Sequence, residues 1–438
     1  MLLAHGVGSK EDLPIPFGYA LTGAGVAILV SFLVLLFLWR EPRFDPERAG
    51  RPLPAPLARL IDSPVTRFVL RAVGLVATAY VVLAMVFGKD DALNPTAGVV
   101  YVLLWVGVPL LSVLIGPVWR LINPIRTLHL LLSRGMAVQP ERGLSPLPSW
   151  LGYWPAAASL LAFVWLELIA PDNTSLTVLR LFFAVYLAAH LLAATWYGSR
   201  WFDHCDGFEV FSSLLGRLSV LGRRPSDGVL VLRNPLEGVA SIAPVGGLFA
   251  VVGVLLGSTV FDSLSSSPSW VDFAQTSPLP PRVVSTLGLL TVVAIVTVAF
   301  AGASALTGRG TDQPPLRLAA EFAHSLVPIV AGYFVAHYWS LLVIVGQQTL
   351  IQLSDPLGTG ADLLGTDGLT INGSLAGRTT TAVLQVAAVV TGHVLGVILA
   401  HDRAVRLLPR RHAIAGQIPL LVLMVGYTVG GLTLLFAA

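Results

Sequence analysis

Apolar residues dominate the chain in runs of about 20, and short polar segments separate these runs. A run of that length, wound as an α-helix, crosses the roughly 30 Å hydrocarbon core of a bilayer. The predicted spans are 18–39, 65–88, 95–117, 151–170, 177–198, 240–262, 283–306, 318–349, 380–401 and 416–437. The pattern therefore predicts an all-α, polytopic membrane helix bundle of about ten helices, with residues 1–438 forming a single transmembrane domain.

Arginine is unevenly distributed between the connections. Connections 40–64, 118–150, 199–239, 307–317 and 402–415 are rich in arginine, and the alternate ones, 89–94, 171–176, 263–282 and 350–379, are poor in it. Cytoplasmic loops of membrane proteins carry an excess of Lys and Arg. The alternation therefore predicts ten crossings with both termini outside the cytoplasm. The location that we expect is the plasma membrane of a bacterium.

The composition limits the partners of the chain. Hydrophobic residues make up 55% of it and charged residues 12%, so the lipid bilayer is the main partner. The net charge of +3 comes from arginines in short connections, where they set topology, and it does not indicate nucleic-acid binding. The single cysteine, Cys205, excludes an internal disulfide.

Several connections and motifs carry further predictions. The stretches 125–134 and 208–221 are amphipathic and are predicted to lie on the cytoplasmic membrane surface, the second capped by Asp206. Two glycine pairs, Gly253/Gly257 and Gly426/Gly430, are predicted to be helix-packing faces. The extracytoplasmic loop 350–379 is read as a substrate entrance, a weak site for a hard cation, or a plain connector.

Ionisable residues at membrane depth mark candidate sites. Glu321 and His324 are three residues apart and share a helix face, a spacing that presents a carboxylate and an imidazole to one metal ion. Counted along their spans, His190 and His393 reach a comparable depth. If spans five, eight and nine are neighbours, these four residues form a site for zinc, copper or iron, or His190 and His393 ligate a haem.

The alternative is that each buried histidine only makes a hydrogen bond between helices. Secondary candidates are His337, which we expect to serve an outer site with acids of 350–379, the adjacent His401 and Asp402, and His5 in the N-terminal segment. Pro328 is expected to kink the eighth span and to free the carbonyl of His324.

Five sequence features together resemble a family of polytopic actinobacterial membrane proteins known as fenitrothion hydrolase-like. They are Ala4–Gly8 with Asp12–Pro16, Glu41–Arg43, Asn123–Leu128, the span from His324 to Gln347, and Gly392-His393 with His401–Ala404. The resemblance implies a membrane-bound hydrolase of organophosphate triesters that uses a metal-activated water. It assigns no catalytic residue in this sequence.

Three functional hypotheses remain open at this point. The first is a membrane metalloenzyme or redox subunit with histidine ligands. The second is a secondary transporter or channel in which the same residues handle protons or cations. The third is a structural subunit that assembles with other membrane proteins.

Overall fold

The computed structural model describes residues 10–309, 311–409 and 415–436. The helices are α1 (Phe17–Leu38), α2 (Ala55–Ile61), α3 (Pro64–Phe87), α4 (Pro95–Ile115), α5 (Val118–Ile122), α6 (Pro124–Gly135), α7 (Trp154–Leu168), α8 (Leu176–Tyr197), α9 (Arg200–Cys205), α10 (Gly207–Leu215), α11 (Pro235–Ala240), α12 (Leu248–Ser265), α13 (Pro268–Thr276), α14 (Pro281–Thr307), α15 (Pro315–Gln352), α16 (Arg378–Leu407) and α17 (Ile418–Leu435). Strands β1 (Arg51–Pro52), β2 (Leu221–Arg223) and β3 (Leu230–Leu232) form a small antiparallel sheet in the order β1-β3-β2.

The described part of the chain contains nine helices that are long and apolar enough to cross a membrane: α1, α3, α4, α8, α12, α14, α15, α16 and α17. The predicted span 151–170 corresponds to α7, which is apolar but has 15 residues. The N–H of Tyr153, just before α7, donates to the carbonyl of Gly246, whereas Asn173, just after it, accepts from Tyr101 at the other end of the bundle. Helix α7 therefore runs from one end of the bundle to the other, although it is shorter than the nine helices above; that it is a tenth crossing stays a prediction.

The arginine-rich connections meet at one end of the bundle. The N–H of Arg43 donates to Asp402, Arg126 pairs with Asp203, and Arg317 donates to the carbonyl of Pro244. At the opposite end, the arginine-poor connections contact each other, as where Gln352 donates to the carbonyl of Ala92. The alternation predicted from arginine content is thus present in the fold, and the assignment of the arginine-rich end to the cytoplasm stays a prediction.

The centre of the bundle is formed by α12, α15 and α16. Most of α12 is buried inside the protein, whereas α1, α3 and α8 expose most of their length. The side chains exposed on these peripheral helices are largely Leu, Val and Phe, as expected of surfaces that face lipid. Helices α15 and α16 pack closely along their length, so residues on their shared face are far from lipid.

Two of the crossing helices are irregular. Residues Val99–Gly107 of α4 form a π-helical segment, and residues His324–Leu326 of α15 form a single 3₁₀ turn just before Pro328. Proline cannot donate a hydrogen bond to the preceding turn, which explains the break in α15. The carbonyl of His324 is not free as predicted, because the N–H of Val327 donates to it.

Only one of the two predicted surface helices lies at the surface. Helix α6 buries His129 and Ser133 and exposes Leu131 and Leu132, as an interfacial helix should. The prediction for 208–221 was wrong, because α10 is buried on nearly all sides and β2 begins at Leu221. Asp206 caps α10 as predicted, accepting from the N–H groups of Phe208 and Glu209.

The two glycine motifs also have different outcomes. A Cβ added at Gly257 would lie 2.7 Å from the Cα of Val293, so α12 and α14 touch there and the first motif is a packing face. A Cβ at Gly426 or Gly430 would meet no described atom within 4 Å. The prediction for the second motif was therefore wrong.

These contacts predict the effect of a larger side chain at each motif. The Gly257→Leu variant should lose about 1–3 kcal/mol of unfolding free energy, since α12 and α14 must separate to admit it. The matched Gly426→Leu variant should lose little. The measurement is the midpoint of thermal unfolding of the detergent-purified protein, and equal midpoints for the two variants would contradict this account of the packing.

Candidate functional site

The four residues predicted to share a metal ion are held in separate environments. His190 lies on α8, which packs against α3, α6 and α9. Its Nδ1 accepts a hydrogen bond from Nε1 of Trp201 at 2.9 Å, and the ring of Tyr186 covers it at 4.2 Å. His190 therefore joins elements at the arginine-rich end, away from the contact between α15 and α16.

The Glu321 carboxylate has arginine partners. Its oxygens accept from Arg403 at 2.7 Å and pair with Arg317 at 3.2 Å. His324 does share a helix face with Glu321, but its Nδ1 donates to the backbone carbonyl of that residue at 2.9 Å. The predicted shared helix face is thus present, and both side chains have partners within the protein.

His393 lies about one helical turn from the depth of His324. A Cβ on Gly396 would touch the carbonyl of Ser325, which sets the register of α16 on α15. Nδ1 of His393 donates to the carbonyl of Val389 at 2.9 Å. In the described residues no three His, Cys, Asp or Glu side chains are grouped so as to hold a metal ion. The described residues therefore give no support to the predicted zinc, copper or iron site, and the haem held by His190 and His393 stays a prediction.

The structure brings together a different pair. Nε2 of His337 lies 2.8 Å from Oδ2 of Asp262, and both side chains are buried between α12 and α15. Asp262 is one turn from the outer end of α12. We expected His337 to meet acids of 350–379, but its partner is a carboxylate of the sixth span. This is an acid–imidazole pair inside the membrane.

Aromatic side chains enclose this pair. The ring of Tyr338 meets the His337 imidazole edge-on at 4.7 Å, and Tyr333 stacks on it at 6.1 Å. The hydroxyl of Tyr338 lies 3.4 Å from Nε1 of Trp105. Because Trp105 belongs to the π-helical segment of α4, the pair is connected to both irregular helices.

Glu167, at the outer end of α7, is a further ionisable group in the outer half of the bundle. Its Oε2 is buried and has no hydrogen-bond partner among the described residues. The contact between Asp262 and His337 makes this pair the candidate functional site.

The sequence contained a signal for this site. Asp262 is the one charged residue within α12, and an acid inside a span is a functional hypothesis by default. The predicted span 240–262 ended on this residue, so Asp262 was not counted among the ionisable residues at membrane depth. The structural helix runs to Ser265 and places Asp262 inside the bundle.

The secondary candidates His401 and Asp402 have structural partners. Oδ1 of Asp402 accepts from the N–H of Arg43 at 2.7 Å and from Nε1 of Trp39 at 3.1 Å. His401 lies 2.9 Å from the carbonyl of Trp39 and 2.8 Å from Oε1 of Gln417. These contacts hold the end of α16 against the segment after α1 and against Gln417, just before α17. His5 lies outside the described residues.

A polar cavity of about 260 Å³ opens at the arginine-rich end. His324, Asp402, Arg403 and Arg406 line it, together with Asp45 and Glu47. Acids and bases are mixed in its lining, so it presents no strong field of either sign. It gives water from this side a route to His324.

A buried ionic network at the same end was not predicted. Arg126 donates to Glu209 at 2.6 Å and to Asp203 at 2.8 Å, and Asn123 donates to both Glu209 and Asp206 at 2.9 Å. Burial raises the pKa of Glu209, and the adjacent guanidinium of Arg126 opposes that rise. The network joins α6 to α10, and we assign it a structural role.

The loop after α15 is ordered by its own aspartates. Asp355 accepts from the N–H groups of Thr359 and Gly360, and Asp362 accepts from the N–H of Thr366. The N–H of Thr359 lowers the pKa of the Asp355 carboxyl, and the hydroxyl of Ser354, which also donates to Asp362, is the main cause of the lowered pKa of that carboxyl. The carboxylates predicted as cation ligands or entrance-lining groups therefore build turns within the loop.

No family model matches the chain, and no curated protein or solved structure is similar to it. The fold defines the class of the protein, a multi-pass membrane helix bundle. The resemblance to fenitrothion hydrolase-like proteins stays a prediction.

The network at the arginine-rich end predicts a stability difference between two ion pairs. The Glu209→Ala variant should lose about 3–5 kcal/mol of unfolding free energy, because it leaves Arg126 buried without its main partner. The control Asp62→Ala breaks the half-exposed pair with Arg223 and should cost at most about 1 kcal/mol. Thermal unfolding in detergent measures both, and a larger loss in the control would contradict a structural role for the network.

Proposed function

We propose that the protein is a transporter or channel of the bacterial plasma membrane that moves protons through the Asp262–His337 pair. The observation that carries the proposal is the 2.8 Å contact between the two side chains, buried between two central helices. Acid and imidazole groups inside a membrane bundle are the typical components of proton relays.

The chemistry of the pair suits this role. An imidazole gains or loses a proton near neutral pH, whereas a carboxylate does so at lower pH. With an ionised carboxylate and a neutral imidazole, the pair carries one negative charge. Binding of one proton makes the pair neutral overall. In a medium of low dielectric this change alters the attraction between α12 and α15. Proton binding is thereby coupled to helix position.

The irregular helices support movement at the site. The π-helical segment of α4 packs against α15, and Trp105 of that segment contacts Phe334 and Tyr338. Segments of π- and 3₁₀-helix are common at functional hinges, and transporters use interrupted helices near their sites. Both interruptions adjoin the helix that carries His337.

The positions of the predicted ligands do not favour the metalloenzyme hypothesis. Hydrolysis of an organophosphate triester would need a metal-activated water, and Glu321, His324, His393 and His190 do not come together as ligands. The resemblance carries no residue onto this chain, so the proposal rests on the Asp262–His337 pair alone.

The test is proton uptake by protein reconstituted in liposomes that contain a pH-sensitive dye. A membrane potential that is negative inside the liposomes should drive protons inward and acidify the lumen when the wild type is present. The Asp262→Asn and His337→Gln variants should slow this acidification by about tenfold or more. His190→Gln is the matched control, since it removes a buried histidine that is bonded elsewhere. The proposal fails if the wild type takes up no protons, or if Asp262→Asn equals it.

A further inference from the structure

Three side chains on the shared face of α15 and α16 carry buried polar atoms that have no hydrogen-bond partner among the described residues. They are Ser340 on α15 and Thr381 and Gln385 on α16, each at most 2% exposed. The amide of Gln385 lacks a partner at both its oxygen and its nitrogen. Unpaired polar atoms in the interior of a membrane protein are costly, so such a group needs an explanation.

The register of the two antiparallel helices places these residues together. At one end of the contact, Gly396 lies against Ser325, and Gly392 lies against Pro328. At the other end, Gln347 bonds to the backbone of Asn372. Continued between these limits, this register brings Ser340 to the level of Thr381 and Ala336 to the level of Gln385.

This cluster adjoins the Asp262–His337 pair. Ser340 follows His337 by three residues and is therefore its neighbour on α15, and Gln385 lies at the depth of Ala336, the residue before it. Thr381 is one turn inside the outer end of α16, where Arg378 and Thr380 are exposed. The cluster thus extends from the level of the pair toward the outer surface.

The hydroxyls of Ser340 and Thr381 differ from several others on helices of this chain, although those of Thr96, Ser304 and Thr307 also have no partner among the described residues. Those of Thr349, on the same helix as Ser340, and of Thr428 donate to the carbonyl four residues earlier, which is the usual way to satisfy a hydroxyl in a membrane helix. Ser340 and Thr381 make no such bond, so their hydroxyls are available to an occupant of the interface.

We infer that Ser340, Thr381 and Gln385 form a binding site for water that connects the Asp262–His337 pair to the outer side of the membrane. The atoms to be satisfied include donors and acceptors, and water provides both. A bare metal cation would leave the amide N–H groups of Gln385 unpaired. Four polar atoms within about one helical turn are enough to hold a buried water, which needs two to four partners. The role in proton supply rests on the proposed function, whereas the hydration does not.

Cysteine labelling tests the hydration. Burial and the charge of Asp206 raise the pKa of the Cys205 thiol to about 12, so the wild type provides an unreactive background. Ser340→Cys and Thr381→Cys should react with a charged, membrane-impermeant thiosulfonate added from the arginine-poor side. The matched control is Ala382→Cys, the next position on α16, which is buried in an apolar cluster with Tyr333 and Leu432.

The expected result is labelling of both polar-site variants at least about tenfold faster than the control, because a thiol reacts as thiolate and needs water to ionise. Filling the site with Gln385→Leu should slow labelling of the Ser340→Cys variant and slow proton uptake. Two independent cysteine positions keep the test decisive if one variant does not fold. Rates equal to the control at both positions would overturn the inference even where proton uptake is normal. Fast labelling without proton uptake would support the water site and reject the proposed function.

Discussion

Burial in a membrane bundle removes most of the water around an ionisable side chain, so a buried charge is stabilised by a partner from the protein. Glu321 is paired with Arg403, Asp402 is bound by the backbone after α1, and Asp262 meets His337. Each contact joins α15 or α16 to another element. The contacts that pair these buried charges therefore also determine which elements pack against α15 and α16. The other helices surround these two.

The Asp262–His337 contact differs from the other two in kind. The guanidinium beside Glu321 keeps its charge over the whole physiological range of pH, and the N–H groups that bind Asp402 do not titrate. An imidazole changes its charge within that range. Of these three contacts, the one between Asp262 and His337 has an imidazole as its basic group, and for this reason the proposed function rests on it and not on the structural ion pairs.

Much of the fold could be predicted from local sequence, because helix length, apolar runs and arginine content act within one segment. The site could not, since it depends on which segments become neighbours. The spacing of Glu321 and His324 fixes a shared face but not what that face meets, and depth alone could not reveal that His190 lies beside Trp201. Gly426 fails as a packing residue for the same reason. Asp262 was overlooked because of a boundary error of three residues.

The central claim is that Asp262 belongs to a titrating pair inside the membrane. Infrared difference spectroscopy of the protein in lipid, recorded during a pH titration, tests it most directly, because protonated and ionised carboxyl groups absorb at different frequencies. The account predicts a reversible carboxyl band in the wild type that is absent from Asp262→Asn and altered in His337→Gln. Identical titration spectra for the wild type and Asp262→Asn would contradict it.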